Sequence, residues 1–346
     1  MNLVEVINEL VEERGLDRSV LGSIVCEGIL AAFHKKYPDL VLKAEYDQKA
    51  GEVQVFAEKN VVTSVEDDLF EISARKAKNI NAKIDVGDKI WVPFEESIGR
   101  IEILKAKHVI ANKIKNIEAQ AVYDAFKNLE GAVVHGNVHK IERAGVTVKV
   151  QDALAFLPKS LSVPGEKLTP GYPIKALLKD VLLEPRNENQ LILDRVSSEF
   201  LRVLFELEIP EVFEKVVEIK KIIRSPGYKS KVLVSSTDSN IDPVGTCIGV
   251  GGSRIKPILK ELAGEKIDVI SSNASAEELV RSALKPAEIR QVEVEGRRAK
   301  VWLDDDQRSL AIGKMGQNIS LASRLLDLEI ELIENQKSPS DEQIIV

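Results

Sequence analysis

The residues with the clearest chemical capacity form a repeated pattern toward the C-terminal end of the chain. Asp242-x4-Cys247-Ile248-Gly249-x-x-Gly252-x-x-Ile255 is matched without a gap by Asp306-x4-Ala311-Ile312-Gly313-x-x-Gly316-x-x-Ile319, at a constant offset of 64 residues. Glycine at both ends of a four-residue turn lets another backbone approach with no Cβ in the way. A helix that follows adds unpaired N–H groups and the positive end of its dipole. That chemistry suits a phosphodiester strand. The candidate clamps are Gly249-Val250-Gly251-Gly252, backed by Arg254 and Lys256, and Gly313-Lys314-Met315-Gly316, backed by Gln317 and Asn318. Ile248 and Ile255 flank the first turn and Ile312 and Ile319 the second, as candidate walls of an apolar groove for bases. Positive charge gathers nearby: residues 215–231 hold Lys215, Lys220, Lys221, Arg224, Lys229 and Lys231 against the single acid Glu218. Arg224, Lys229 and Lys231 are therefore candidate phosphate contacts, alongside Lys314 inside the second turn.

Each glycine pair needs the same elements to hold it. Two strand-like runs precede the first (residues 216–223 and 231–235) and the second (289–294 and 299–303). An amphipathic helix (253–262 or 317–326) and a further strand (266–270 or 329–333) follow. The unit reads helix, strand, strand, helix, Gly-x-x-Gly, helix, strand, twice in tandem. A lone Gly-x-x-Gly is more often a plain helix–helix turn, whereas recurrence in one repeated context favours function. The enzyme-class rival is a nucleotide-dependent enzyme using the Gly249 loop. Against it, Asp242-Pro-Val-Gly-Thr246 separates the preceding strand from the glycines, and the dinucleotide spacing is incomplete. The Asp304-Asp305-Asp306 run is expected to cap the helix over residues 307–312.

Upstream, residues 131–193 carry five short strand candidates (132–141, 146–150, 153–157, 174–183, 190–193) punctuated by Pro158, Pro164, Pro170 and Pro173. This suits a five-stranded OB-fold barrel with Phe156 as the clearest ring on which a base can stack. Residues 1–128 read as a mixed α/β domain. Helices are expected over residues 3–11 and 21–32, strands over 40–46, 52–57, 61–65 and 89–93. One long helix should run from about 99 to 129 with Ile103, Ile110, Ile114, Ile117 and Ala121 on its apolar side.

Composition narrows the function classes. A formal charge of −7 from 48 Lys+Arg and 55 Asp+Glu excludes indiscriminate coating of nucleic acid, so binding must rest on local charge. Two distant cysteines and an N-terminus without a basic flank or apolar core point to a reduced, cytoplasmic protein. No apolar run reaches the ~18 residues of a bilayer span, so no membrane partner is expected. No residue set supports catalysis, a cofactor or a metal: His135 and His139 lack companion ligands.

The stretches Arg224-Ser-Pro-Gly-Tyr-Lys-Ser-Lys231, Asp242-Pro-Val-Gly-Thr-Cys-Ile-Gly249, Gly252-Ser-Arg-Ile255 and Gly264-Glu-Lys-Ile-Asp268 resemble the first KH domain of the bacterial NusA family of transcription termination/antitermination factors. Asp305-Asp-Gln-Arg-Ser-Leu-Ala-Ile-Gly-Lys-Met-Gly-Gln-Asn318 is similar to the second. The resemblance covers residues 1–335. It implies a multidomain α+β protein: an N-terminal domain (1–128) that binds RNA polymerase and an OB-fold of the S-one type (129–198). Two tandem type II KH domains (199–275 and 276–335) and a polar tail (336–346) complete it. By the same resemblance the chain is a monomeric, non-enzymatic factor that holds nascent single-stranded RNA, modulates pausing, termination and antitermination, and meets other elongation factors. Arg100 and Lys107 match a motif on the family's polymerase-facing helix, and their spacing of seven puts them on one helical face. The family usually has a basic or polar residue where this chain has Gly251. A ribosome-maturation or RNA-decay factor shares the KH pair but not the N-terminal domain, and stays open at this point.

Overall fold

The computed structural model describes residues 18–47, 52–95 and 100–334. The chain divides into two compact units, Met1–Ala121 and Val122–Val346.

In the first unit, helix α1 (Arg18–Lys36) buries Leu21, Ile24, Val25, Ile29, Ala32 and Phe33 along one stripe, as its periodicity predicts. The helix expected over residues 3–11 lies outside the described residues. Strand β1 (Leu42–Asp47) pairs antiparallel with β2 (Glu52–Val62), which pairs parallel with β3 (Glu71–Ser73) and antiparallel with β4 (Lys89–Pro93). The separate strand expected over residues 61–65 is instead the end of β2: Val61 is fully buried and pairs with Ile72. β3 and the seven-residue helix α2 (Ala74–Ile80) are too short to leave a periodic signal and went unforeseen. Helix α3 (Arg100–Phe126) runs for 27 residues before a single 3₁₀ turn at Lys127–Leu129. Its core-facing stripe begins at Ala106 and continues through Ile110 and Ile114, whereas Ile103 is 37% exposed. Gly28 permits this packing, because a Cβ there would lie 2.6 Å from Cγ1 of Ile110.

The second unit opens with a closed barrel of β5 (Val133–Ile141), β6 (Gly145–Val150), β7 (Ala153–Pro158), β8 (Pro173–Arg186) and β9 (Asn189–Asp194), ordered β5-β6-β7-β9-β8. Val134, Val138, Val148, Ala155, Leu157, Ala176, Leu178, Leu191 and Leu193 fill its interior with the period-two alternation of a five-stranded OB-like barrel.

Two copies of one α/β topology follow. The first comprises α4 (Ser198–Glu208), α5 (Pro210–Phe213), β10 (Val217–Ser225), β11 (Lys229–Ser236), α6 (Pro243–Ile248), α7 (Ile255–Glu261) and β12 (Lys266–Ser271). The second comprises α8 (Ala276–Ala283), β13 (Gln291–Glu295), β14 (Arg298–Leu303), α9 (Asp305–Ile312), α10 (Gln317–Leu326) and β15 (Glu329–Glu334). In each sheet the middle strand has one antiparallel and one parallel neighbour, β10-β11-β12 and β13-β14-β15. The copies share apolar contacts, since Ile270 of the first sits in the core of the second with Ile223 and Leu233 packed on it. Among the described residues, no helix is long and apolar enough to cross a membrane.

Candidate nucleic-acid interface

Both glycine turns join two helices, because the chain enters each from α6 or α9 and leaves it into α7 or α10. No strand runs straight into the glycines, which is what a dinucleotide-binding loop requires. Gly249 and Gly313 end the incoming helices at φ/ψ of 72/166° and 72/177°, a conformation that side chains all but forbid. The space is closed as well. A Cβ on Gly249 would stand 2.7 Å from Oγ of Ser253, and one on Gly313 would stand 2.6 Å from Cβ of Asn318. At the third position, Gly251 (60/19°) and Met315 (53/29°) share the left-handed region, and Gly251 has open space around it. Both tips stand in solvent: Val250 is 96% exposed and Met315 89% exposed. Lys314 and Lys256 are exposed too, and the Lys256 stem runs beside Gly252.

The helices in front of the turns are not capped alike. The Asp242 carboxylate accepts from the backbone N–H groups of Val244 and Gly245 at 3.0 Å each. In the second copy α9 begins two residues earlier relative to the repeat, so Asp306, the counterpart of Asp242, lies in the first turn and Asp304 is the cap residue. Asp304 makes no side-chain cap bond. Its carboxylate pairs with Arg290 at 2.8 Å.

Several residues expected to face RNA are turned inward, and those expectations are corrected. Arg224 is buried: its guanidinium bonds the fully buried Glu265 through Nε (2.9 Å) and Nη2 (2.9 Å) and the Ser197 carbonyl through Nη1 (2.9 Å). Lys229 and Lys231 are buried and share one carboxylate oxygen, Oδ2 of Asp268, at 2.7 Å each. Burial outweighs that attraction for Lys231 and pulls its amine down from 10.5 to about 8. Asn318 is 3% exposed. Ile255 is core, packed with Cys247 and Ile258, while Ile248 is exposed and Ile312 and Ile319 are half-buried. Lys229 and Lys231 lie on β11, the central strand of its sheet and covered on both faces, whereas Arg224 lies on the edge strand β10 with its guanidinium enclosed by Glu265 and the Ser197 carbonyl. In both places buried charge must be paired.

Arg254 is half-buried. Nη1 donates to the Thr246 carbonyl and Nη2 to Oε1 of Glu211, both at 2.9 Å. Gln317 is half-buried at the start of α10. On the barrel, Phe156 alternates with the fully buried Ala155 and Leu157, so it sits on the outer surface, half-buried against the edge of Gly145. Arg100 and Lys107 both lie on α3, Lys107 half-buried.

Arg195, Glu166 and Glu261 were not among the residues singled out in the sequence, yet they brace the elements around the site. Arg195 is 3% exposed where β9 leaves the barrel. It meets Glu166 (2.9 Å), Glu261 (2.6 Å) and the Lys175 carbonyl, joining the barrel to α7 of the first α/β copy. A groove of about 720 Å³ runs over this junction between His135, Tyr172, Lys175, Pro257 and Lys260. Glu265 and Asp268 were visible only as members of Gly264-Glu-Lys-Ile-Asp268. Nothing in a one-dimensional pattern says that these acids answer Arg224 and Lys231.

Family comparisons agree with this layout. Residues 2–120 match the family described as NusA N-terminal domain, residues 195–272 the NusA-like first KH domain, and residues 276–340 the NusA-like second KH domain. The transcription termination/antitermination protein NusA of Thermus thermophilus is 35% identical over 357 residues, covering 99% of this chain and 92% of that protein. Its namesake from Rickettsia conorii is 35% identical, covering 98% of this chain and 69% of that protein. That of Bacillus subtilis is 30% identical, covering 95% and 90%.

Proposed function

The chain belongs to the NusA family, and on that premise we propose that it is a transcription termination/antitermination factor that holds single-stranded RNA as it leaves RNA polymerase. The observation that carries this reading is the pair of solvent-exposed Gly-x-x-Gly turns of matched backbone, each set between two helices of a KH fold. Phosphates are to be clamped at Gly249–Gly252 and Gly313–Gly316, with Lys256 and Lys314 supplying charge and Ile248, Ile312 and Ile319 lining the base side. Phe156 offers a ring on the barrel's outer surface. The N-terminal domain docks on RNA polymerase through the α3 face that carries Arg100 and Lys107. The chain's role is binding and guidance of RNA in the cytoplasm, not catalysis. A ribosome-maturation or decay factor is not favoured, because residues 2–120 match the NusA N-terminal domain.

The test exploits the exposed tips. Aspartate at Gly249 or Gly313 would strain the turn and strike Ser253 or Asn318, confounding folding with binding. Val250→Asp/Gly251→Asp together with Lys314→Asp/Met315→Asp puts acids where side chains stand free. We expect single-stranded RNA affinity to fall at least ~100-fold by loss of phosphate attraction, with circular dichroism unchanged and the melting temperature lowered by no more than a few degrees, the strain of a side chain at Gly251. Retained affinity would refute the phosphate clamp. Transcription through a hairpin pause with Arg100→Glu/Lys107→Glu then checks the polymerase contact: the expected outcome is loss of the pausing effect with RNA affinity intact.

A further inference from the structure

The residue two places after each glycine pair fastens the turn to the helix before it. Arg254 donates to the carbonyl of Thr246 and Asn318 to that of Leu310, eight residues back in both copies. Asn318 does more. Its Nδ2 also lies within hydrogen-bond distance of the Ala311 carbonyl (3.2 Å) and the Leu284 carbonyl (3.2 Å), and its Cβ packs where a Gly313 side chain would be. What holds the fastener itself differs between the copies. Arg254 is answered by Glu211 on α5, within its own KH fold. The oxygen of Asn318 accepts from Nζ of Lys229 at 3.0 Å, and Lys229 belongs to β11, the central strand of the other KH fold. Lys229 is held in turn by Asp268 at 2.7 Å and by the Lys285 carbonyl at 3.3 Å. Lys229 and Asn318 at the centre of these contacts are buried and Asp268 is half-buried, which makes the geometry stiff and costly to break.

We infer that Lys229 is a positioning residue for the second RNA turn: through Asn318, the first KH fold sets the geometry of Gly313–Gly316, while the first turn is held without help from the second fold. The inference rests on the phosphate-clamping reading of these turns. It turns a residue whose charge suggests direct RNA contact into one that acts through another. The dependence runs one way, from the first fold to the second turn.

Lys229→Met in the full chain tests it, with Lys314→Ala as reference. Losing a charged hydrogen bond to the fastener should lower single-stranded RNA affinity about tenfold. The slope of log affinity against log salt should keep its wild-type value, since no phosphate contact is lost. Amide exchange should quicken at residues 313–316 and stay unchanged at 249–252, and Lys229→Arg should restore most of the affinity. A slope reduced by about 0.7, the signature of one lost phosphate contact on a single strand, would overturn the inference. So would unchanged affinity, or exchange that quickens equally in both turns. If Lys229→Met does not fold, Asn318→Ala, which removes the acceptor, is read by the same criteria. If Lys314→Ala itself leaves affinity and slope untouched, the clamping reading fails; if it lowers both while Lys229→Met behaves as wild type, only this inference fails.

Discussion

Gly249 and Gly313 leave their helices at the same φ of 72°, and Gly251 and Met315 then occupy the same left-handed region. Behind these matched turns the two KH folds diverge. The first turn carries no charge of its own and is fastened by an arginine to its own fold. The second carries Lys314 and is fastened by an asparagine to its neighbour. The first sheet buries Lys229 and Lys231, whereas no lysine of β13, β14 or β15 is among the buried polar side chains of the described residues. Duplicating a sequence copies the local backbone path, because glycine placement and helix ends decide it within a few residues. It does not copy the electrostatics, because each turn meets different neighbours once folded.

The comparison can be pressed hardest at the glycines. Gly313→Ala puts a Cβ against Asn318 in a backbone region that side chains avoid, and should cost about 3 kcal/mol in denaturant unfolding. Gly251→Ala enters open space at a conformation Met315 already adopts, and should cost about 1 kcal/mol or less. Equal losses would break the claim that Gly313 is sterically closed to a side chain while Gly251 is open.

Buried Lys231 offers a pH signature in the first sheet. Burial lowers Lys231 to about 8 from 10.5. Between those values the unfolded chain holds a proton that the folded chain lacks, so stability rises with pH across that window. Below pH 8 both states are charged and the burial penalty is full. Unfolding free energy relative to Lys231→Met should therefore climb by up to about 3 kcal/mol from pH 8 to 10.5. A flat difference would mean that Asp268 compensates the charge completely.

The smallest effect sharpens the contrast between the tips. Lys314→Ala should weaken RNA binding by about 1 kcal/mol and reduce the salt slope by about 0.7, whereas Val250→Ala should leave the slope unchanged. A change of slope at Val250 would show that the first turn gathers charge from elsewhere, with exposed Lys256 the nearest source.

Most of the architecture was legible in one dimension. The barrel strands fall within a few residues of their expected bounds, and the helix after the second turn occupies residues 317–326 as its period requires. These are local properties: alternation of two, a stripe of 3.6, and glycine or proline at the breaks. The same locality made the two turns recognisable, since a glycine pair between helices needs nothing distant to define it. β3 and α2 escaped, because three and seven residues give too few repeats of their period to stand out from the chain around them.

Sequence by itself determined where the turns lie, that they come in a pair, and which family's pattern they follow. Only the tertiary structure decided which of the surrounding charges face water. Arg224, Lys229 and Lys231 read as a basic patch in the chain and as a buried network in the fold, because their acids, Glu265 just before β12 and Asp268 within it, arrive some forty residues later. Whether a charge binds a ligand or braces a fold depends on what the folded chain packs against it, and a residue type carries no record of that neighbour.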